Sequence, residues 1–191
     1  MMKEKSIWIN GASTGIGKAL AIQCAKQGAN LIISSRKKDA LDLVKAECEN
    51  HGSRVMVVTL DLENPESIDN AVGQVLESID SLDYLFLNGG LSQRSYIINS
   101  PIEIDRRMME INYFGNIYLT KKILPFFIKQ GHGHFAVTTS LTGIFGIPLR
   151  SSYAASKHAL HGFFDTLRAE QKTNNIHVTI ICPGFIKTDI S

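Results

Sequence analysis

Apolar residues recur along this chain in two alternating rhythms. Short runs rich in Ile and Val occupy positions 6–10, 30–34, 54–60, 84–87, 134–139 and 177–182. Between them, the stretches 15–27, 38–50, 65–78, 104–129 and 152–173 space their apolar residues three and four apart, as one face of a helix requires. The pattern predicts strands and helices in strict alternation. Near-continuous apolar strands have no polar face, so both faces need cover, which predicts a parallel sheet between two helix layers with right-handed crossovers. The expected fold is α/β and doubly wound, one domain over residues 1–191. The longest irregular stretch, 88–101, follows the fourth strand, where an open sheet places its ligand crevice.

Composition narrows the class. A chain of 191 residues that is 44% hydrophobic can bury an ordinary core for one domain. Its 20 Lys and Arg against 18 Asp and Glu leave a net charge of +2, too balanced to argue for nucleic acid or a membrane surface as partner. Cys24, Cys48 and Cys182 lack metal or disulfide-framework spacing and read as reduced thiols of the cytoplasm. No run approaches the ~18 apolar residues of a bilayer span, and the first strand begins too early for a signal peptide. A soluble, cytoplasmic protein without a membrane anchor is expected. His132 and His134, and His158 and His161, have no carboxylate or cysteine at supporting spacing, so no metal is expected.

The chemistry begins at Asn10-Gly11-Ala12-Ser13-Thr14-Gly15-Ile16-Gly17, between the first strand and first helix. Gly11, Gly15 and Gly17 permit a tight turn and let the backbone approach a pyrophosphate, whose charge the helix N-terminus favours. The second strand ends in Ser34-Ser35-Arg36-Lys37-Lys38. No carboxylate stands ready for the ribose 2′-hydroxyl of NAD, whereas Arg36 suits the 2′-phosphate of NADP. Tyr153 and Lys157 are four apart on a predicted helix and therefore share a face. A free phenol titrates near ~10, and a cation within about 4–6 Å favours its ionised form, which assigns Lys157 to acidify Tyr153. Ser140, thirteen residues before the tyrosine, adds a hydroxyl able to polarise a carbonyl.

Together these residues resemble the short-chain dehydrogenase/reductase family, in its NADP-preferring, single-domain, Rossmann-type form, over essentially the whole chain. Residues 10–17 resemble its cofactor loop, with Asn10 where threonine is commoner and with Ser13, Thr14 and Ile16 inside it. Asp61 and Leu62 resemble the pair that contacts adenine. Leu87-Asn88-Gly89-Gly90 resembles the Asn-Asn-Ala-Gly motif, with Leu87 and Gly89 as departures. Asn112, Ser140, Tyr153 and Lys157 match its active-site positions, and Pro183, Gly184, Ile186 and Thr188 match the segment that closes over the nicotinamide. The resemblance implies hydride transfer between NADP(H) and a carbonyl or alcohol. In it Ser140 binds the carbonyl oxygen, Tyr153 acts as general acid or base, Lys157 also holds the nicotinamide ribose, and Asn112 anchors a water chain to that lysine. Ser35 and Arg36 would hold the adenosine end.

Residues 91–95, 111–115 and 151–158 look most like the dehydrogenase/reductase member 7-like branch, which includes membrane-associated reductases of lipid, steroid or retinoid carbonyls. That implies a hydrophobic substrate. Family members usually continue past Thr188-Asp189-Ile190-Ser191 into a substrate-covering lid and a seventh strand, which the given chain lacks. An alternative is therefore a catalytically silent NADP(H)-binding regulator. A sugar-nucleotide epimerase would need a larger substrate domain. The family's pairing of its two long helices implies a homodimer or homotetramer.

Overall fold

The computed structural model describes residues 2–186. Six strands, β1 Ser6–Asn10, β2 Asn30–Ser35, β3 Val55–Thr59, β4 Tyr84–Leu87, β5 Gly133–Thr138 and β6 Ile176–Ile181, form one parallel sheet in the order β3-β2-β1-β4-β5-β6. Chain order reverses between β1 and β4, and that is where an open α/β sheet leaves a crevice beyond its carboxyl ends. Register is fixed by the apolar alternation: Trp8 sits beside Ile32 and Leu85, and Ile9 beside Ile33 and Phe86. Adjacent residues on β1 therefore face different helix layers.

Helices α1 Gly15–Lys26 and α2 Lys38–Glu49 cover one face, where Ala21, Cys24, Leu41 and Val44 pack on Ile7, Ile9, Leu31 and Ile33. On the other face α3 Pro65–Ser78, α5 Gly115–Gln130 and α6 Ser151–Glu170 bury Val75, Leu119, Phe127 and Phe164 against Trp8, Leu85, Phe135 and Val137. Local sequence sets the boundaries. Asn64 caps α3 by accepting from the amides of Glu66 and Ser67 at 2.9 and 3.2 Å, with Pro65 in the first helical position. Between β1 and β2 the buried indole is satisfied, Trp8 Nε1 donating to Ser34 Oγ at 2.9 Å.

The helix predicted over 104–129 departs from expectation. It runs as α4 Ile102–Met109, a π-helical turn Glu110–Phe114 and then α5 without a break. The π turn carries one residue more than an α turn, and Asn116 Nδ2 gathers the displaced carbonyls of Ile111 at 3.3 Å and Asn112 at 3.0 Å, together with Gly89 O at 3.2 Å. Gly115 makes the bend possible against its neighbour. A Cβ there would lie 2.2 Å from the carbonyl oxygen of Leu62.

Gly115→Ala should thus destabilise the fold by about 1–3 kcal/mol, because a backbone atom must move to admit the methyl group. Gly73→Ala, within α3 and with nothing inside 4 Å of the new methyl, should instead stabilise it by roughly 0.5–1 kcal/mol. Urea midpoints of the two variants against the parent chain check the pair.

Candidate active site

Where β1 and β4 part, the turn after β1 lies directly on the turn after β4. Gly11 adopts a left-handed backbone, φ 75°, and a Cβ there would fall 2.6 Å from Gly89 Cα. At Gly17 a Cβ would lie 2.1 Å from Gly11 O, which accepts from Asn88 Nδ2 at 3.1 Å. Glycine is required at these contacts by backbone proximity. The helix that follows has no capping side chain, since the Thr14 hydroxyl bonds none of its amides, and no acidic residue in its first turn. Free amides and an unopposed dipole suit an anion.

A cleft of about 480 Å³ opens above this turn. Its walls include Gly11, Ser13, Thr14, Gly15 and Ile16 from the first turn, and Ser35 and Arg36 from the end of β2. Asp61 and Leu62 follow β3, Asn88, Gly89 and Gly90 follow β4, and Pro183, Gly184 and Ile186 follow β6. Ser140, Tyr153 and Lys157 face the same space. Gly17 and Asn112 do not: one supports the loop from behind, and the other is fully buried. Thr188 lies outside the described residues. Arg36 and Lys37 are exposed at the cleft rim, and among the described residues the Arg36 side chain has no ion pair. The cradle and the uncapped helix fit the pyrophosphate of a dinucleotide.

Around the chemical centre, Ser140 follows β5 and its Oγ accepts from Thr142 N at 3.2 Å, shaping the turn. Its hydroxyl also draws the titration of the Tyr153 phenol down. Lys157, one helical turn beyond, donates to Thr138 O at 2.9 Å with its Nζ 5.7 Å from the tyrosine ring centre. Asn112 occupies the π turn and is committed to neighbours, accepting from Leu91 N at 2.7 Å and donating to Leu91 O and Ser156 Oγ at 3.0 Å. It locks the wall of the cleft to α6 and does not touch the lysine directly. Among the described residues no three His, Cys, Asp or Glu side chains converge. His158 bonds Ala154 O and His161 bonds Thr139 Oγ1.

The influences that draw the Tyr153 phenol down come from Ser140 and Arg150, and Lys157, the expected partner, is not among them. Burial lifts the phenol above its ordinary value, and the Ser140 hydroxyl and the charge of Arg150 offset that only in part. The lysine is itself so deeply buried that its amine is pushed down to about 8. Desolvation raises an acid and lowers a base, and it is the largest influence on both groups. Sequence reasoning also missed Arg150, Thr142 and Phe145, which line the cleft. No spacing rule marks them, because their loop reaches the site only through the fold.

Taken together, the sheet order and the glycine cradle define a doubly wound α/β protein of the dinucleotide-binding class. The chain belongs to the short-chain dehydrogenase family, whose model, described as short chain dehydrogenase, matches residues 5–191. It is 40% identical to human Dehydrogenase/reductase SDR family member 7, covering 99% of this chain and 57% of that one. It is 38% identical to rat Dehydrogenase/reductase SDR family member 7B, over 100% of this chain and 60% of the relative. The chain thus spans under two thirds of the curated relatives it matches. Among solved structures it superposes with a TM-score of 0.91 and 28% identity on an alcohol dehydrogenase from Thermococcus sibiricus complexed with 5-hydroxy-NADP, over 96% of this chain and 77% of that one.

A buried amine titrating near 8 couples stability to pH. Because its folded value lies below the 10.5 of a free lysine, the unfolded chain binds the extra proton between these limits, and stability rises with pH there. Lys157→Met should be the more stable form at pH 7, and its margin over the parent chain should shrink as pH climbs from about 8 to 10.5, by at most about 1.4 kcal/mol per pH unit. Chemical denaturation of both proteins across that range checks it.

Proposed function

We propose that this chain is the catalytic and cofactor-binding portion of an NADP(H)-dependent oxidoreductase that interconverts an apolar carbonyl compound and its secondary alcohol. The observation that carries the reading is the shared cleft. Ser140, Tyr153 and Lys157 open onto the same space as the glycine cradle. Gly11, Gly15, Arg36, Asp61 and Gly89 would hold the nucleotide, and Lys157 the ribose nearest the reaction. When bound, the nicotinamide supplies or accepts the hydride.

The chain's own groups handle the oxygen and its proton. In reduction, Tyr153 gives its phenolic proton to the carbonyl oxygen as the carbon receives hydride, so a neutral alcohol leaves and the phenolate recovers a proton from solvent. Ser140 Oγ donates to that oxygen and concentrates positive character on the carbon. The phenol keeps its proton at neutral pH, as a proton donor must, and the Ser140 hydroxyl and the Arg150 charge act against its burial to ease the proton's release. Leu91, Leu141, Phe145, Ile147 and Phe185 line the rest of the cleft and favour an apolar substrate.

The preference for NADP over NAD is supported by Arg36 and Lys37, two cations at the rim of the cleft beside the end of β2. No described helix is long and apolar enough to cross a membrane, and all three cysteines are free, as in a reducing compartment. We place the protein in the cytoplasm as a homodimer or homotetramer, paired through α4, α5 and α6.

Purified chain with NADPH should reduce members of a panel of apolar ketones, aldehydes and quinones. Tyr153→Phe should abolish turnover while leaving NADPH affinity nearly intact; tight NADPH binding with no turnover in the parent chain would favour a regulator. Arg36→Asp should lower the ratio of NADPH to NADH affinity roughly tenfold or more, as loss of a charged hydrogen bond predicts. Titrated nucleotide fluorescence measures both.

A further inference from the structure

Arg150 precedes α6 and is only 9% exposed, yet among the described residues it has no carboxylate partner. A guanidinium stays charged, and a buried charge without a counter-ion is costly. Its contacts are instead neutral acceptors on the long irregular wall: Nη1 donates to Ser92 Oγ and, at 3.2 Å, to Gln93 O. The nearby carboxylate is otherwise engaged. Asp105 on α4 accepts from the hydroxyls of Ser100 and Ser152, while Gln93 Nε2 donates to Ser100 Oγ at 2.6 Å. Ser95 N donates to Leu149 O at 3.1 Å, and Leu149 has a left-handed backbone, φ 68°, which a branched side chain rarely adopts. A strained residue retained beside a cleft is held by its surroundings.

This clasp delivers the guanidinium to one place. Arg150 Cζ lies 5.5 Å from the centre of the Tyr153 ring, slightly closer than the lysine amine at 5.7 Å. We propose that Arg150 is a positioning residue for Tyr153: clamped by Ser92 and Gln93, it fixes the ring in the cleft and stabilises the negative charge the phenol carries once its proton has gone. An unpaired buried cation is then explained, because its counter-charge forms only during the reaction. The other groups around the ring are Lys157 on α6, the Ser140 hydroxyl and Arg94, whose charge acts on Arg150. The Leu141–Gly143 turn packed on α6 has no titratable side chain, and Glu110 on the π turn is exposed. Arg150 also draws the phenol downward against its burial.

The role in catalysis rests on the proposed function; the effect on the phenol does not. The test is tyrosinate absorbance, titrated in the full chain and in Arg150→Met and Arg150→Lys, each with its Tyr153→Phe counterpart subtracted to remove the other tyrosines. Arg150→Met should move the Tyr153 midpoint up by about one pH unit or more, and Arg150→Lys by clearly less. In alcohol oxidation, where the phenolate is the base, the rising limb of the kcat–pH profile should shift with it while KM changes little, which a merely structural residue would not cause. If Arg150→Met loses its fold by circular dichroism, Arg150→Gln, which keeps a donor without the charge, decides in its place. Unchanged midpoints in a folded variant overturn the proposal. A shifted midpoint in a chain without turnover would leave it standing and sink the oxidoreductase reading; turnover with an unshifted midpoint would do the reverse.

Discussion

The close approach of two backbone turns, after β1 and after β4, governs everything above the sheet. Gly11 lies against Gly89, and Gly17 against Gly11 O, at separations that admit no side chain. With those turns in contact, the crevice at the strand-order reversal becomes shallow at its floor and open at its sides. A flat, charged ligand can then meet backbone amides, while the residues after β5 and β6 approach from the far side. A methyl group at Gly11 or Gly17 would press on backbone atoms of these turns, and one at Gly89 on the side chains of Asn10 and Leu62.

The second half of the site answers a different demand, that of keeping polar groups in a dry place. Asn112 spends its amide on Leu91 and Ser156, Lys157 spends one donor on Thr138 O, and Asn116 collects three carbonyls around the π turn. The bonds to Leu91, Ser156, Gly89 and Thr138 O cross between elements and tie the wall after β4, the long helix, β5 and α6 together. Desolvation then sets the acid–base character of Tyr153 and Lys157, driving the phenol up and the amine down. Charge placement acts on that background.

Strand positions and layering were legible from apolar rhythm because burial on both faces leaves its mark on every strand residue. The glycine cradle, Ser140, Tyr153 and Lys157 were legible because backbone proximity and a one-turn helical offset impose spacing. Other features left no such trace. Arg150 reads as one more basic residue before a helix, and only the fold of the 88–101 wall shows that it is buried and unpaired. The net direction of the Tyr153 shift depends on how much water the finished cleft excludes, which no local pattern encodes. The π turn is similarly silent, since Glu110–Phe114 looks like ordinary amphipathic helix until Gly115 meets Leu62 O.

That turn has a geometric corollary. One surplus residue advances everything after it by about 100° around the helix axis, since an α-helix holds 3.6 residues per turn. The stripe formed by Met108 and Ile111 is therefore out of phase with the one formed by Leu119, Ile123 and Phe127, although both are buried. A hypothetical ancestor lacking the residue would have owned a straighter rod, with only one of its two stripes able to reach the interior at a time. The irregularity is the splice that lets a single long rod serve two differently oriented neighbours.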